Sequence, residues 1–482
     1  MAISTTIKGF AKDSALYGVG HILTRAIGFL LLPIHTKYLV PAEYGVAAVL
    51  MAYLTLAQVF YNFGLDTAFL RYYVLAESEP EKKRIFSTAF WTIAAVGVVF
   101  TVCGVLFAEN LSAILVTSSA HKSLLAMCAG VLFFEALAAL PFLALRAHGE
   151  SKKFAALKIL AVTLNLALNF YFIVIENRGV EGIFLANLAA SAFSFLTVTP
   201  LLKEHLRFSF SRPDFRSLLS FGLPYIPATI AIIGMNVADR FLLERMTGAA
   251  SVGVYNAGFR LAMIMTLLVA AFRFAWHPFF LSAAKKDGAQ EKFAKIFTYF
   301  LLGAALVFLF ITLFLDEMLS IEIGGWRILS EAYWQGAGVV PLIMLGQLLF
   351  GVYVNFLVGV YLKEKNKYLP FITGVGLLAN IAGNIWLIPI WGIFGAGAAT
   401  IVGYFIMAAI LYFYSRRLYQ ISYEWGRVLK IIIAAGAATA SFFYFEPGFF
   451  AKIGVFLLFP AALFVMRFFR PNELALRKSA QE

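Results

Sequence analysis

Residues 363–404 read KEKNKYLPFITGVGLLANIAGNIWLIPIWGIFGAGAATIVGY. A basic turn leads into about 20 apolar residues, enough for a helix to cross a bilayer, then a glycine turn and a second apolar stretch. Residues 145–191, LRAHGESKKFAALKILAVTLNLALNFYFIVIENRGVEGIFLANLAAS, repeat the design. Lys152 and Lys153 answer Lys365 and Lys367. Asn165 and Asn169 answer Asn380 and Asn384, and Gly179 and Gly182 answer Gly392 and Gly395. A fainter match pairs Glu43-Tyr-Gly-Val46 with Ser251-Val-Gly-Val254, at nearly the same separation.

The rest of the chain has the same texture. Of 482 residues, 61% are hydrophobic and 13% charged, against about 25% charged in soluble domains. Fourteen apolar stretches are expected as helices, near 14–36, 44–70, 85–107, 123–144, 157–175, 182–202, 217–238, 252–273, 296–315, 337–362, 368–389, 394–415, 428–445 and 450–468. The fold class is an all-α polytopic membrane protein, because backbone in lipid must satisfy its own hydrogen bonds. The repeat divides it into an N-lobe at 1–206 (helices 1–6), a C-lobe at 212–415 (helices 7–12), and 416–482 with helices 13 and 14 and a tail. Parallel repeats of this kind place a substrate path at the lobe interface. No connecting segment is long enough for a soluble catalytic domain or an ATPase, and no phosphate-loop motif is present.

The net charge is +13. With both termini placed in the cytosol, 30 of the 39 basic residues fall on the cytosolic side and 7 outside, leaving Arg25 and Arg260 within spans. The positive-inside rule supports that orientation, so the basic charge is topogenic and no nucleic-acid partner is expected. The apolar stretch at 14–36 contains His21 and Arg25 and is too long for a cleaved signal. Cys103 and Cys128 fall in consecutive spans, and His and Cys do not cluster. No metal site, disulfide frame or cofactor is expected.

Charged groups at membrane depth mark function or a structural tie. Arg25 would lie about 16 Å into its helix at 1.5 Å per residue, on a stripe with Tyr17, His21, Thr24 and Gly28. It either lines an anion-binding cavity or ties helices together. Arg260 follows Asn256 by one turn. Its fork suits a phosphate, or it pairs with an acid such as Asp239. Thr55, Gln58, Asn62 and Asp66 form another polar stripe, with Asp66 expected to pair with Arg71. Glu135 is a lone acid in the fourth span, as either the carrier of a coupling proton or an inert carboxyl. The two Asn pairs are expected to join helices. Pro224 and Pro227 open the seventh helix as a candidate hinge.

The run from Leu32 to Tyr73, LPIHTKYLVPAEYGVAAVL…YNFGLDTAFLRYY, and the run at 363–404 resemble bacterial polysaccharide-biosynthesis flippases. These are the O-unit and exopolysaccharide class of the superfamily that also holds lipid II flippases and MATE drug exporters. The resemblance implies two lobes in a V around a central cavity and alternating access. It implies a polyprenyl-diphosphate-linked oligosaccharide as cargo and the bacterial cytoplasmic membrane as location. Polymerase or glycosyltransferase machinery is the implied partner beside the bilayer. Family cavities are cationic, which points to Arg25 and Arg260, with His21, Asn62 and Asn256 beside them and Glu135 or Asp66 for ion coupling. A MATE-like exporter or a lipid II flippase remains as an alternative. A membrane glycosyltransferase or polymerase would need catalytic acids in a large outer loop, and the longest expected here, near 316–336, is short. The protein is expected not to be an enzyme.

Overall fold

The computed structural model describes residues 29–284, 287–445 and 447–470. The described chain is helical apart from one small hairpin, in which β1 (Glu322–Ile323) pairs antiparallel with β2 (Trp326–Arg327). The helices are α1 (Leu32–Tyr38), α2 (Pro41–Asn62), α3 (Leu65–Leu75), α4 (Glu79–Leu106), α5 (Ala108–Leu115) and α6 (Lys122–Ala147). Then come α7 (Ser151–Phe170), α8 (Gly179–His205), α9 (Arg212–Gly222), α10 (Ile226–Thr247), α11 (Ala249–Ala283) and α12 (Ala289–Ser320). The last are α13 (Val340–Phe356), α14 (Val358–Leu362), α15 (Leu369–Trp391), α16 (Ile393–Leu418), α17 (Trp425–Phe445) and α18 (Phe449–Val465).

Among the described residues, twelve helices are long and apolar enough to cross a membrane, two of them counted through the breaks at 223–225 and near 340 and 357. The expected first span lies mostly outside the described residues. The expected fourteenth, α18, is apolar but only 17 residues long, about 26 Å at 1.5 Å per residue. Many helices outrun their apolar stretches. α11 reaches Ala283 and α12 begins at Ala289, because a helix ends where its backbone turns, not where hydrophobicity stops.

Two expected continuous spans are interrupted. The span at 44–70 breaks at Phe63 and Gly64, both left-handed (φ 52° and 67°). The helix then resumes as α3. A Cβ at Gly64 would come within 2.6 Å of the Gly222 carbonyl oxygen, so this turn needs glycine for its backbone and for the close approach of α9. The seventh span is broken at Leu223–Tyr225, a 3-10 turn around Pro224. A proline here removes a backbone donor and interrupts the ladder.

The chain falls into two compact units. One holds the residues up to Leu261 with Leu329–Val339 and Lys367–Gly403. Within it α6 packs on α4 and α8, and α10 packs on α2 and α15. The other holds Ala262–Ile328, Val340–Asn366 and the residues from Tyr404 onward, where α12 packs on α13, α17 and α18.

The faint sequence match at Gly45 and Gly253 has a structural counterpart in the first unit. A Cβ on Gly45 would collide with the Ala249 carbonyl, and a Cβ on Gly253 would collide with the Pro41 carbonyl. Each glycine meets the residue four positions before the other. Gly45→Ala should therefore destabilise the protein by about 1–3 kcal/mol or more, as overpacking does. Gly436→Ala, where no atom lies within 4 Å, should be neutral or stabilise by up to about 1 kcal/mol. Thermal unfolding in detergent would separate the two; equal behaviour would remove the close-contact argument.

Candidate functional site

The helix crossing at Gly45 places Tyr44 at the start of α2 against α11. Tyr44 is buried, with its ring 5.6 Å from His35 and 5.8 Å from Tyr333. Tyr333 donates its hydroxyl to the Leu39 carbonyl at 2.7 Å, closing the 331–339 segment over α1. Asn256 and Arg260, on successive turns of α11, lie within electrostatic reach of Tyr44. Tyr44 is a neighbour of Asn256 and Arg260 that the sequence alone does not point to.

A polar chain leads from this cluster into the helices of the first unit. His35 Nε2 lies 3.2 Å from Asn169 Oδ1, and Asn169 is wholly buried. The Asn169 amide donates to the Asn165 carbonyl and side-chain oxygen at 2.8 and 3.0 Å. Asn165 donates to Asn187 at 3.1 Å, and Ser191 donates to the Asn187 carbonyl at 2.7 Å. The Asn165–Asn187 bond joins α7 to α8, so the first Asn pair joins helices as expected. The second pair makes the same bond within its helix, Asn384 donating to Asn380 at 2.9 Å, and both residues are buried.

The chain ends on a cavity of about 430 Å³. Gln58, Glu135, Lys158, Asn165, Asn187 and Ser191 are among its lining residues. Glu135 opens into it from α6, and its electrostatic partner is Lys158 on α7. Lys158 also sits 4.0 Å over the Phe142 ring. Asn62 joins through Gln58, which donates to it at 2.9 Å. Glu135 shares this cavity with Lys158 from the next helix.

One expected pairing and one alternative pairing are corrected. Asp66 accepts the Thr67 backbone N–H at 2.9 Å, while Arg71 lies 4.4 Å over the Phe221 ring. No ion pair joins them, since the break at Gly64 restarts the helix and Arg71 turns to α9. Asp239 does not pair with Arg260 either. Its carboxylate takes Arg240 at 2.7 Å and the Tyr255 hydroxyl at 2.6 Å. Arg240 is buried in α10, stacked 4.1 Å from the Phe259 ring centre. Adjacent helix positions face apart, so an Asp-Arg neighbour pair does not read as an ion pair until the long arginine folds back. His21 and Arg25 lie outside the described residues.

Among the described residues Arg260 forms no ion pair with a carboxylate. The arrangement is a cation among neutral donors at one end, an acid–base pair in a cavity at the other, and amides between. It can hold an anionic or polyhydroxylated group. No group of three or more metal-ligating side chains occurs among the described residues.

The sequence profile described as polysaccharide biosynthesis protein matches residues 35–324, more than half of the chain. The chain belongs to that family. It is 22% identical over 432 residues to an uncharacterized membrane protein of Methanocaldococcus jannaschii, covering 82% of this chain and 83% of the relative. It is 22% identical over 416 residues to Lsg locus putative protein 1 of Haemophilus influenzae, covering 79% and 96%. Its fold matches lipid II flippase MurJ in an inward closed conformation, with a TM-score of 0.76, 15% identity and coverage of 95% of this chain and 100% of that one. It also matches a multidrug resistance MATE family transporter of the MOP superfamily, with a TM-score of 0.64, 15% identity and coverage of 82% and 94%. The family member is therefore a multi-pass membrane protein with the fold of that flippase and transporter superfamily.

The buried Asp239–Arg240 pair generates a stability test. Asp239→Asn should cost about 3–5 kcal/mol, because it leaves a buried guanidinium without its counter-charge. Asp239→Asn combined with Arg240→Met should cost less than Asp239→Asn alone. Thermal unfolding of the three proteins measures both, and a double variant less stable than the single would contradict the pairing.

Proposed function

We propose that this protein is a flippase that moves polyprenyl-diphosphate-linked oligosaccharide across the cytoplasmic membrane of a bacterium for polysaccharide assembly. The proposal includes fourteen helices, both termini in the cytosol, and alternating access by the repeat lobes 1–206 and 212–415. The observation that carries it is Arg260, held among Tyr44, Asn256 and His35 without an ion-paired carboxylate among the described residues. A buried cation is normally paired. One with no ion-paired carboxylate among the described residues suits an anionic ligand, and the guanidinium fork fits phosphate oxygens. Membership of the polysaccharide biosynthesis family and the lipid II flippase fold support the cargo class. Arg25 and His21 from the first span would complete the cationic surface, and Asn62 the sugar-facing amides. Bare transfer of sugars and diphosphate through hydrocarbon is prohibitively costly, so a polar route of this kind is required. The synthesis machinery would deliver the cargo on one side and consume it on the other.

Glu135 supports a second element, ion coupling. A carboxyl in a cavity beside Lys158 can exchange a proton as the cavity changes hydration. A cavity acid is also what a MATE-like cation exporter would use, and that is the competing reading.

The test is a host strain deleted for this gene. Lipid-linked repeat units should accumulate and surface polymer should be lost, with rescue by the wild type. Arg260→Ala should reach the membrane at normal levels and fail to rescue. Arg260→Lys should be at least about tenfold weaker than wild type, the scale of a lost hydrogen bond to a charged group. Full rescue by either variant would refute phosphate binding at Arg260. Unchanged glycolipid pools with new sensitivity to cationic drugs would favour the exporter. Glu135→Gln should abolish the dependence of transport on an imposed proton gradient while the protein level stays constant. A variant that keeps the gradient dependence would exclude Glu135 as the carrier.

A further inference from the structure

The second unit carries a cavity unrelated to the site above. It has a volume of about 630 Å³ and lies where α17 begins and α18 ends. Among the described residues, Arg427, Lys430, Arg467 and Arg470 line it with a single carboxylate, Glu424. That carboxylate is the organiser of the site. Arg427 and Arg470 both reach it at 2.9 Å, and Thr298 of α12 donates to it at 2.9 Å. Arg427 is buried and stacked 4.4 Å from the Phe468 ring, so its guanidinium is fixed in place. Lys430, one turn further along α17, donates to the Arg467 carbonyl at 3.3 Å. Among the described residues, four cations around one anion leave a positive excess in a concave site, and the α17 N-terminus adds to it.

The surroundings select among anions. Leu429 on α17 and Phe464 and Val465 at the end of α18 are 56%, 66% and 80% exposed, and Trp425, which lines the cavity, is 46% exposed. Exposed apolar side chains on membrane helices face acyl chains, and tryptophan favours the headgroup level. A soluble phosphate would use the charge and leave the apolar rim unmatched. A phospholipid matches both, with its phosphodiester among the basic groups and its chains along α17 and α18. Basic pockets between membrane helices on the cytosolic side recognise lipid headgroups in this way, and the charge distribution places this end of α17 in the cytosol.

We infer that the cavity between the start of α17 and the end of α18 is a binding site for the phosphate headgroup of an anionic phospholipid. This is a site for resident membrane lipid, separate from the cargo-binding residues, and it does not depend on what the cargo is.

The experiment is native mass spectrometry of the full-length protein in detergent. Phosphatidylglycerol and phosphatidylcholine are added as probes, with inorganic phosphate as competitor. Wild type should retain phosphatidylglycerol in preference to phosphatidylcholine. Lys430→Gln combined with Arg467→Gln should weaken that retention by about 25-fold, at about fivefold per basic group. Lys363→Gln combined with Lys365→Gln removes the same charge from an exposed turn elsewhere and should bind as wild type does. Melting curves of both double variants establish that they fold. Equal retention by the site variant, equal loss in the control variant, or no preference over phosphatidylcholine would each overturn the inference. Displacement of the lipid by millimolar inorganic phosphate would also overturn it, by making the site one for free anions.

Discussion

The arrangement of the first unit depends on a backbone contact. Gly45 and Gly253 let α2 and α11 approach until each glycine lies against a carbonyl of the other helix. In a membrane, helices gain little from burying apolar surface against one another, because lipid is equally apolar. Close packing at small residues takes over that role. The contact has a directional consequence. It sets the first turns of two helices face to face, and with them Tyr44, Asn256 and Arg260. A side chain at either glycine would push these groups apart.

Electrostatics then sorts the charged residues into two kinds. Asp239, Arg240 and Tyr255 satisfy one another inside α10 and α11, as do Glu424 with its arginines in the second unit. Lys452 likewise meets Glu317 at 2.8 Å. These groups tie helices together. Arg260 and the Glu135–Lys158 cavity are of the other kind: charge held among neutral donors or beside accessible space. Between them runs the chain His35, Asn169, Asn165, Asn187 and Ser191, whose amides make it continuous. A polar path through an apolar bundle costs stability, and transport is the function that would use one.

The two Asn pairs illustrate how a repeat diverges. Both carry the same bond within the helix, at 2.8 and 2.9 Å. Only the first extends outward, because His35 and Asn187 stand beside it. At the second pair, the amide nitrogen of Asn380 and the side-chain oxygen of Asn384 are buried without hydrogen-bond partners among the described residues. The motif alone predicts the helix and the internal bond. Its neighbours decide whether it belongs to a longer network.

Much was determined by the sequence itself. Apolar stretches of spanning length force helices, since no other open structure satisfies backbone in lipid. The repeat of basic turn, Asn-x-x-x-Asn and glycine turn is legible along the chain. Arg260, Asn256 and Glu135 stood out because a polar group in an apolar run is conspicuous along the chain alone. The interruption at Phe63 and Gly64 did not stand out, because hydrophobicity continues through it while the backbone reverses its handedness. Nor did the partner of Asp239, the lysine beside Glu135, or Tyr44 beside Arg260. Periodicity tells which face of a helix a residue occupies. It does not tell which helix that face meets. Tertiary structure decided those partners because packing of small residues sets which helices touch, and a charge acts only on what lies within a few ångströms of it.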